Sequence, residues 1–132
     1  MAETPYCLVP AKPPKPVEWI GSSLKDMRAF PEVVRETLGF ALYLAQIGDK
    51  HVAAKPLKGF AGAGVLEVVE DFDGDTFRAV YTVRFASAVY VLHVFQKKSK
   101  TGIKTPKSEI DLVRQRLKVA EEQHRNRKES ES

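Results

Sequence analysis

Apolar and polar positions change rhythm along the chain, and each change marks an element. Between residues 31 and 47, Val34, Leu38, Ala41, Leu42 and Ala45 recur at helical spacing and form one buried stripe. Pro31 suits the first turn of that helix and Gly48 its end. From residue 65 the period falls to two. VLEVVE, TFRAVYTVRF and AVYVLHVFQKK are rich in β-branched and aromatic residues and contain neither Pro nor Gly. Asp73-Gly74 and Ala86-Ser87 are the turns between them, so three antiparallel strands are expected. Helical spacing returns with Ile110, Val113, Leu117 and Ala120, behind Thr105 as N-cap and Pro106 as first helical residue, with Arg114, Arg116 and Lys118 facing out. Upstream, Val17-Glu18-Trp19-Ile20 reads as a short strand closed by Gly21. Ser22 or Ser23 then caps a short helix ending near Phe30. The order predicts an α+β fold: an N-terminal strand and two helices packed on an antiparallel β-sheet, plus a C-terminal helix.

Strand parity gives the sheet two unlike faces. A turn at Ala86-Ser87 pairs Phe85 with Ala88, Val80 with His93 and Arg78 with Phe95. One face then carries Phe77, Ala79, Tyr81, Val83, Phe85, Ala88, Tyr90, Leu92 and Val94, which predicts core. The other carries Arg78, Val80, Thr82, Arg84, Val89, Val91, His93, Phe95 and Lys97. Glu67 joins this second face if its strand turns back through Asp73-Gly74. The upstream helices cover the first face, and the second is expected to stay open. A one-residue bulge would exchange the faces beyond it.

The 132 residues suffice for one domain with a core. Pro5, Pro10, Pro13, Pro14 and Pro16 make residues 1–16 a flexible arm. The folded domain is expected over 17–123. From His124 the alternating charges bury nothing, and residues 124–132 should fray. His51 to Gly64 reads as loop. Its glycines are no phosphate loop, because no Gly-Lys-Ser/Thr follows and the next element is a strand. Asp71, Asp73 and Asp75 are no calcium loop, because Gly74 is misplaced and Thr82 stands where the bidentate Glu belongs. The single Cys7 excludes an intramolecular disulfide and a cysteine metal cluster, and neither a metal nor another cofactor is expected. MAETPYCLVP lacks the basic and apolar run of a signal peptide, and no apolar stretch approaches a membrane span. A cytoplasmic protein without a membrane partner is expected.

Charge matters here through its distribution. Lys+Arg number 21 against 17 Asp+Glu, for a formal net charge of +4. Lys97, Lys98, Lys100, Lys104 and Lys107 fall together with no acid among them, and such a local field favours a polyanion, RNA or DNA included. The plainer alternative is a solvated loop. If the open face binds RNA, metal-free cleavage needs a base for the 2′-hydroxyl, cations for the phosphorane and an acid for the leaving oxygen. The planar fork of Arg78 matches a phosphate. Lys97 and Lys98 crowd each other, and neighbouring like charges make an ammonium readier to release a proton. His93 can act as acid or base, and Glu67 can orient Arg78 or neutralise it. Each has a structural competitor. His93 can be a core-edge histidine, Glu67–Arg78 a cross-strand ion pair, and Lys97-Lys98 a charged strand end that deters aggregation.

Taken together, several stretches resemble a known family. They are Trp19-Ile20-Gly21-Ser22-Ser23, Phe30-Pro31, Gly64-Val65-Leu66-Glu67-Val68, Phe77-Arg78-Ala79-Val80-Tyr81, Val91-Leu92-His93-Val94-Phe95-Gln96-Lys97-Lys98-Ser99 and Lys104-Thr105-Pro106. Over residues 17–120 the chain is similar to the phage-derived HigB-like branch of the RelE/ParE toxin superfamily. That resemblance implies a RelE-like fold and a type II toxin that cleaves mRNA on the ribosome without metal. It also implies a cognate HigA-like antitoxin with a helix-turn-helix. Arg78, Lys97, Lys98 and His93 become the catalytic candidates. Lys58, Glu67, Arg84, Lys100, Lys104, Thr105 and Lys107 become the RNA-binding candidates. Val69, opposite Arg78, stands where many relatives carry a basic residue, which weakens the phosphate site. A ParE-like gyrase inhibitor without catalysis, and a degenerate module that only docks nucleic acid or a partner, are the alternatives.

Overall fold

The computed structural model describes residues 13–97 and 105–130. Its elements run β1 (Val17–Trp19), α1 (Ser23–Arg28), α2 (Glu32–Gln46), β2 (Lys55–Pro56), β3 (Val65–Phe72), β4 (Asp75–Thr82), β5 (Val89–Lys97) and α3 (Lys107–Ser130). The strands form one sheet in the order β1-β5-β4-β3-β2. β1 lies parallel to β5, and the other neighbours are antiparallel. The α+β class and every helix expected from the sequence are present. β2 lies within the stretch read as loop, where Lys55 and Pro56 pair with Glu67 and Leu66.

The first hairpin forms as its turn chemistry dictates. Phe72 pairs with Asp75, so Asp73-Gly74 is a two-residue turn in which both residues have positive φ, +54° and +84°. The second hairpin departs from strict alternation. Arg78 pairs with Phe95 and Val80 with His93 as expected, but Tyr81 then pairs with Val91. Leu92 is the extra residue of a β-bulge. Beyond it the faces of β5 exchange: Val89 and Val91 join the α2 side, while Tyr90 and Leu92 join the α3 side. The carbonyls at the bulge are taken up from outside the ladder. Ile20 N–H and Ser23 Oγ donate to Val91 O, and Arg116 donates to Leu92 O.

Both faces of the sheet are therefore covered. On one, Val34, Leu38, Ala41, Leu42 and Ala45 of α2 pack with Phe77, Ala79, Tyr81 and Val94. On the other, Val113, Leu117 and Ala120 of α3 pack with Val80, Leu92 and Phe95. The expected open face is thus corrected. α3 has an apolar stripe of its own, and Val80, Leu92 and Phe95 are the floor that buries it.

The end of the chain is corrected as well. α3 continues through Ser130, past the expected onset of fraying at His124. His124 lies 4.4 Å from Phe85, ring centroid to centroid, and Arg127 bonds Glu18. The helix also starts later than read. Pro106 O accepts from Ile110 N–H, so Pro106 holds the position given to Thr105, whose hydroxyl is used elsewhere.

Candidate functional site

The candidate site lies where β3, β4 and β5 meet the start of α3. Glu67 pairs with Val80, one step along from Val69 opposite Arg78, so Glu67 and Arg78 are diagonal neighbours on the same face. The Arg78 guanidinium reaches Glu67 Oε2 at 3.0 Å and Thr105 Oγ1 at 3.4 Å. The Thr105 hydroxyl donates to the same carboxylate oxygen at 2.6 Å. One anion thus holds an arginine of the sheet and the segment entering α3. Arg78 is only 3% exposed, and this carboxylate offsets part of the cost of burying its charge.

His93 sits two residues before Phe95, the partner of Arg78, and its ring stacks on Phe95 at 4.8 Å. It is 6% exposed, and both ring nitrogens are engaged by α3. Nε2 lies 2.6 Å from Glu109 Oε1, and Arg116 donates to Nδ1 at 3.3 Å. A guanidinium has no acceptor, so Nδ1 must accept, and Nε2 carries the proton given to Glu109. That is the neutral Nε2–H form. Arg116 also donates to Ser22 Oγ at 3.2 Å. Gly21 allows this approach: φ is +59°, and a Cβ there would fall 2.8 Å from Arg116 Cζ.

Glu109 and Arg116 went unread in the sequence, where Arg116 was expected to face solvent. Their signal was present. Residues 109, 113, 116 and 120 share one helical stripe, which places Glu109 and Arg116 beside the apolar residues that dock.

The remaining candidates divide. Lys97 pairs with Thr76, whose hydroxyl donates to Lys97 O at 3.3 Å. By alternation Lys97 shares the side of Phe95 and Arg78, and it is half-buried. Lys98, Lys100 and Lys104 lie outside the described residues. Lys107 is 88% exposed at its side chain and pairs with Asp111. Lys58 is exposed beside Gly59. Arg84 is not brought to the site. It follows the far end of β4 and pairs with Glu121 at 2.6 Å, well along α3 from Thr105. Among the described residues no three His, Cys, Asp or Glu side chains gather into a metal-binding group, and no helix is long and apolar enough to cross a membrane.

In chemical terms the arrangement offers a guanidinium balanced by one carboxylate, a neutral imidazole balanced by another, and a lysine at the end of the same strand face. Phosphate oxygens could replace the Glu67 carboxylate on Arg78, one anion for another.

Residues 25–118 match a family model described as Phage derived protein Gp49-like (DUF891). Among solved structures the chain is similar to a mutant of the E. coli toxin RelE in the free state. That likeness has 22% identity and a TM-score of 0.48, and it covers 61% of this chain and 81% of that one. It is also similar to the RelBE2 toxin–antitoxin complex from Mycobacterium tuberculosis. There the identity is 17% and the TM-score 0.42, with 65% of this chain and 94% of that one covered. No curated protein matches the chain.

Proposed function

The chain belongs to the Phage derived protein Gp49-like family, and we propose that it is the toxin of a type II toxin–antitoxin pair, cleaving mRNA on the ribosome without a metal. The observation that carries this reading is the shared face of Arg78, His93 and Lys97, with Glu67 and Thr105 at hydrogen-bonding distance from the guanidinium. In it Arg78 exchanges Glu67 for a phosphate oxygen and stabilises the phosphorane, because its fork is geometrically matched and always charged. Lys97, with Lys98 next to it in sequence, supplies a proton to the leaving 5′-oxygen. His93, once Arg116 leaves Nδ1, takes the 2′-hydroxyl proton on that nitrogen. The ribosome orients the message, since so sparse a site supplies little positioning of its own. Lys58, Lys100, Lys104 and Lys107 add phosphate contacts. The partner in the uninduced cell is a HigA-like helix-turn-helix antitoxin.

The burial of Arg78 and the engagement of both His93 nitrogens favour a second reading. In it the same fold acts without catalysis, as a ParE-like gyrase inhibitor or a docking module. Induction of the chain in bacteria separates these. Rapid translation arrest with truncated mRNA supports the nuclease, and SOS induction with intact mRNA supports the gyrase inhibitor. Growth without a defect points to a docking module.

A further inference from the structure

α2 buries one stripe and presents another. Val34, Leu38, Ala41, Leu42 and Ala45 face the sheet, whereas Val33, Phe40 and Tyr43 are 51%, 54% and 37% exposed. These three recur with Glu36 at i, i+3, i+7 and i+10, so all four share the outward side of the helix. The ring of His51 stands edge-on to Phe40, 5.8 Å between centroids. Gly39 lies beside this stripe, and outside the helix's own backbone nothing described stands within 4 Å of where its Cβ would be. A glycine in mid-helix weakens the helix, and no contact among the described residues makes use of it. It leaves a notch next to an exposed aromatic ring, where a second backbone can approach closely.

Charge narrows what fits there. Glu32 and Glu36 are exposed, and among the described residues neither forms an ion pair. Arg35 gives its Nε to Phe30 O at 3.0 Å. The face is apolar and acidic, so it suits an apolar segment that carries basic charge. The chain itself supplies one. Residues 1–12 lie outside the described residues, and they lead into the fold beside the C-terminal end of α2. There Lys15 N–H donates to Gln46 O at 3.0 Å, and Gln46 Nε2 donates to Lys15 O at 2.6 Å. Upstream of that anchor come Lys12, Pro10, Val9, Leu8 and Tyr6. At about 3.1 Å per residue in polyproline II, the stretch from Lys15 back to Cys7 spans about 25 Å. From Gln46 back to Val33 the helix covers about 20 Å. The segment is long enough.

We propose that residues 5–12 of this chain dock along the outward face of α2, running from Gln46 toward Val33. Their prolines and Val9 cover Tyr43, Phe40 and Val33, as proline-rich segments cover aromatic surfaces, and Lys12 offsets Glu36. The anchor at Lys15 makes the contact intramolecular, so a weak interaction suffices to populate it. The inference is independent of the nuclease reading, because α2 packs on the sheet face opposite Arg78.

The single Cys7 allows the test on the full chain. A nitroxide is attached to Cys7, and broadening of backbone amides is read by NMR against the reduced label. Selective broadening of Val33, Glu36 and Gly39 is expected, with none at Gln115 and Lys118 of α3, beyond the sheet. Phe40→Glu changes an exposed position and should abolish that selectivity while the rest of the spectrum stays unchanged. Charge reversal in E32K/E36K should act in the same direction. Broadening no stronger on α2 than on α3 overturns the proposal, as does selective broadening undiminished in Phe40→Glu. A mixture of nitroxide-bearing chain with isotopically labelled, nitroxide-free chain should show no broadening of α2. Broadening in that mixture assigns the face to a second copy and overturns the proposal too.

Discussion

Glu67 Oε2 accepts from Arg78 at 3.0 Å and from Thr105 at 2.6 Å, so the carboxylate that neutralises the sheet's buried arginine also fastens the chain as it enters α3. Glu67→Gln keeps the shape and removes a carboxylate charge 3.0 Å from a guanidinium that is 3% exposed. The expected cost is about 3–5 kcal/mol of unfolding free energy. Thr105→Val loses a hydrogen bond and leaves the ion pair, for about 1 kcal/mol. Urea unfolding of both variants checks the order. A Glu67→Gln chain as stable as the parent would mean that Arg78 does not depend on this carboxylate.

His93 is expected in the neutral Nε2–H form, because Arg116 occupies Nδ1 and Glu109 accepts at Nε2. Nitrogen NMR of the imidazole reports the tautomer directly. Arg116→Met should release Nδ1 and bring a mixture of tautomers. Gly21→Ala should act in the same direction, since a Cβ there would push against the guanidinium. An Nδ1–H imidazole in the parent chain would contradict the assignment.

Tyr81 gives the fold an alkaline limit. Burial pushes its phenol up to about 12, and its hydroxyl has no hydrogen-bond partner among the described residues. The unfolded chain ionises this group near pH 10, before the folded chain does. The stability tied to the neutral phenol is therefore complete below about pH 10 and is lost as pH rises toward 12, up to about 3 kcal/mol. Tyr81→Phe should remove that slope. It should cost little at pH 7, because it deletes a buried hydroxyl that is already unpaired. Unfolding curves at pH 8 and pH 11 compare the two chains. An unchanged slope in Tyr81→Phe would assign the alkaline loss to another group, of which Tyr90, also raised by burial, is the first candidate.

The apolar stripe of α2 should behave as ordinary core. Leu38 is fully buried, and Leu38→Ala is expected to cost about 2–5 kcal/mol, read from the midpoint of urea unfolding.

How far the sequence was legible follows from which interactions are local. The stripe of α2, the Asp73-Gly74 turn and the Arg78–Phe95 and Val80–His93 pairs all follow from spacing and turn chemistry, and the structure has them. The bulge at Leu92 does not follow. Its cause is tertiary: Ile20 just past β1, Ser23 of α1 and Arg116 of α3 take up two carbonyls at the bulge, Val91 O and Leu92 O. Strict alternation therefore misassigned Phe85, Ala88, Val89, Tyr90, Val91 and Leu92, and the expected Phe85–Ala88 pair does not form, while Arg78 and His93 were assigned correctly. The covering of the second face was half legible. The stripe of α3 was plain, but its destination was not, because the apolar residues beneath it were interleaved with Arg78 and His93. The charged end of α3 read as frayed because its anchors, Glu18 and Phe85, are remote in sequence.

The most direct test of the account is the chemistry of mRNA ends after induction of the parent, Lys97→Ala and Arg78→Lys chains in cells. Attack by a 2′-hydroxyl leaves a 2′,3′-cyclic phosphate on one fragment and a 5′-hydroxyl on the next. The account predicts such ends for the parent chain, and their loss in both variants while each variant stays folded by circular dichroism. Intact mRNA in cells arrested by the parent would contradict the account, as would fragments with 5′-phosphates or cleavage undiminished in both variants.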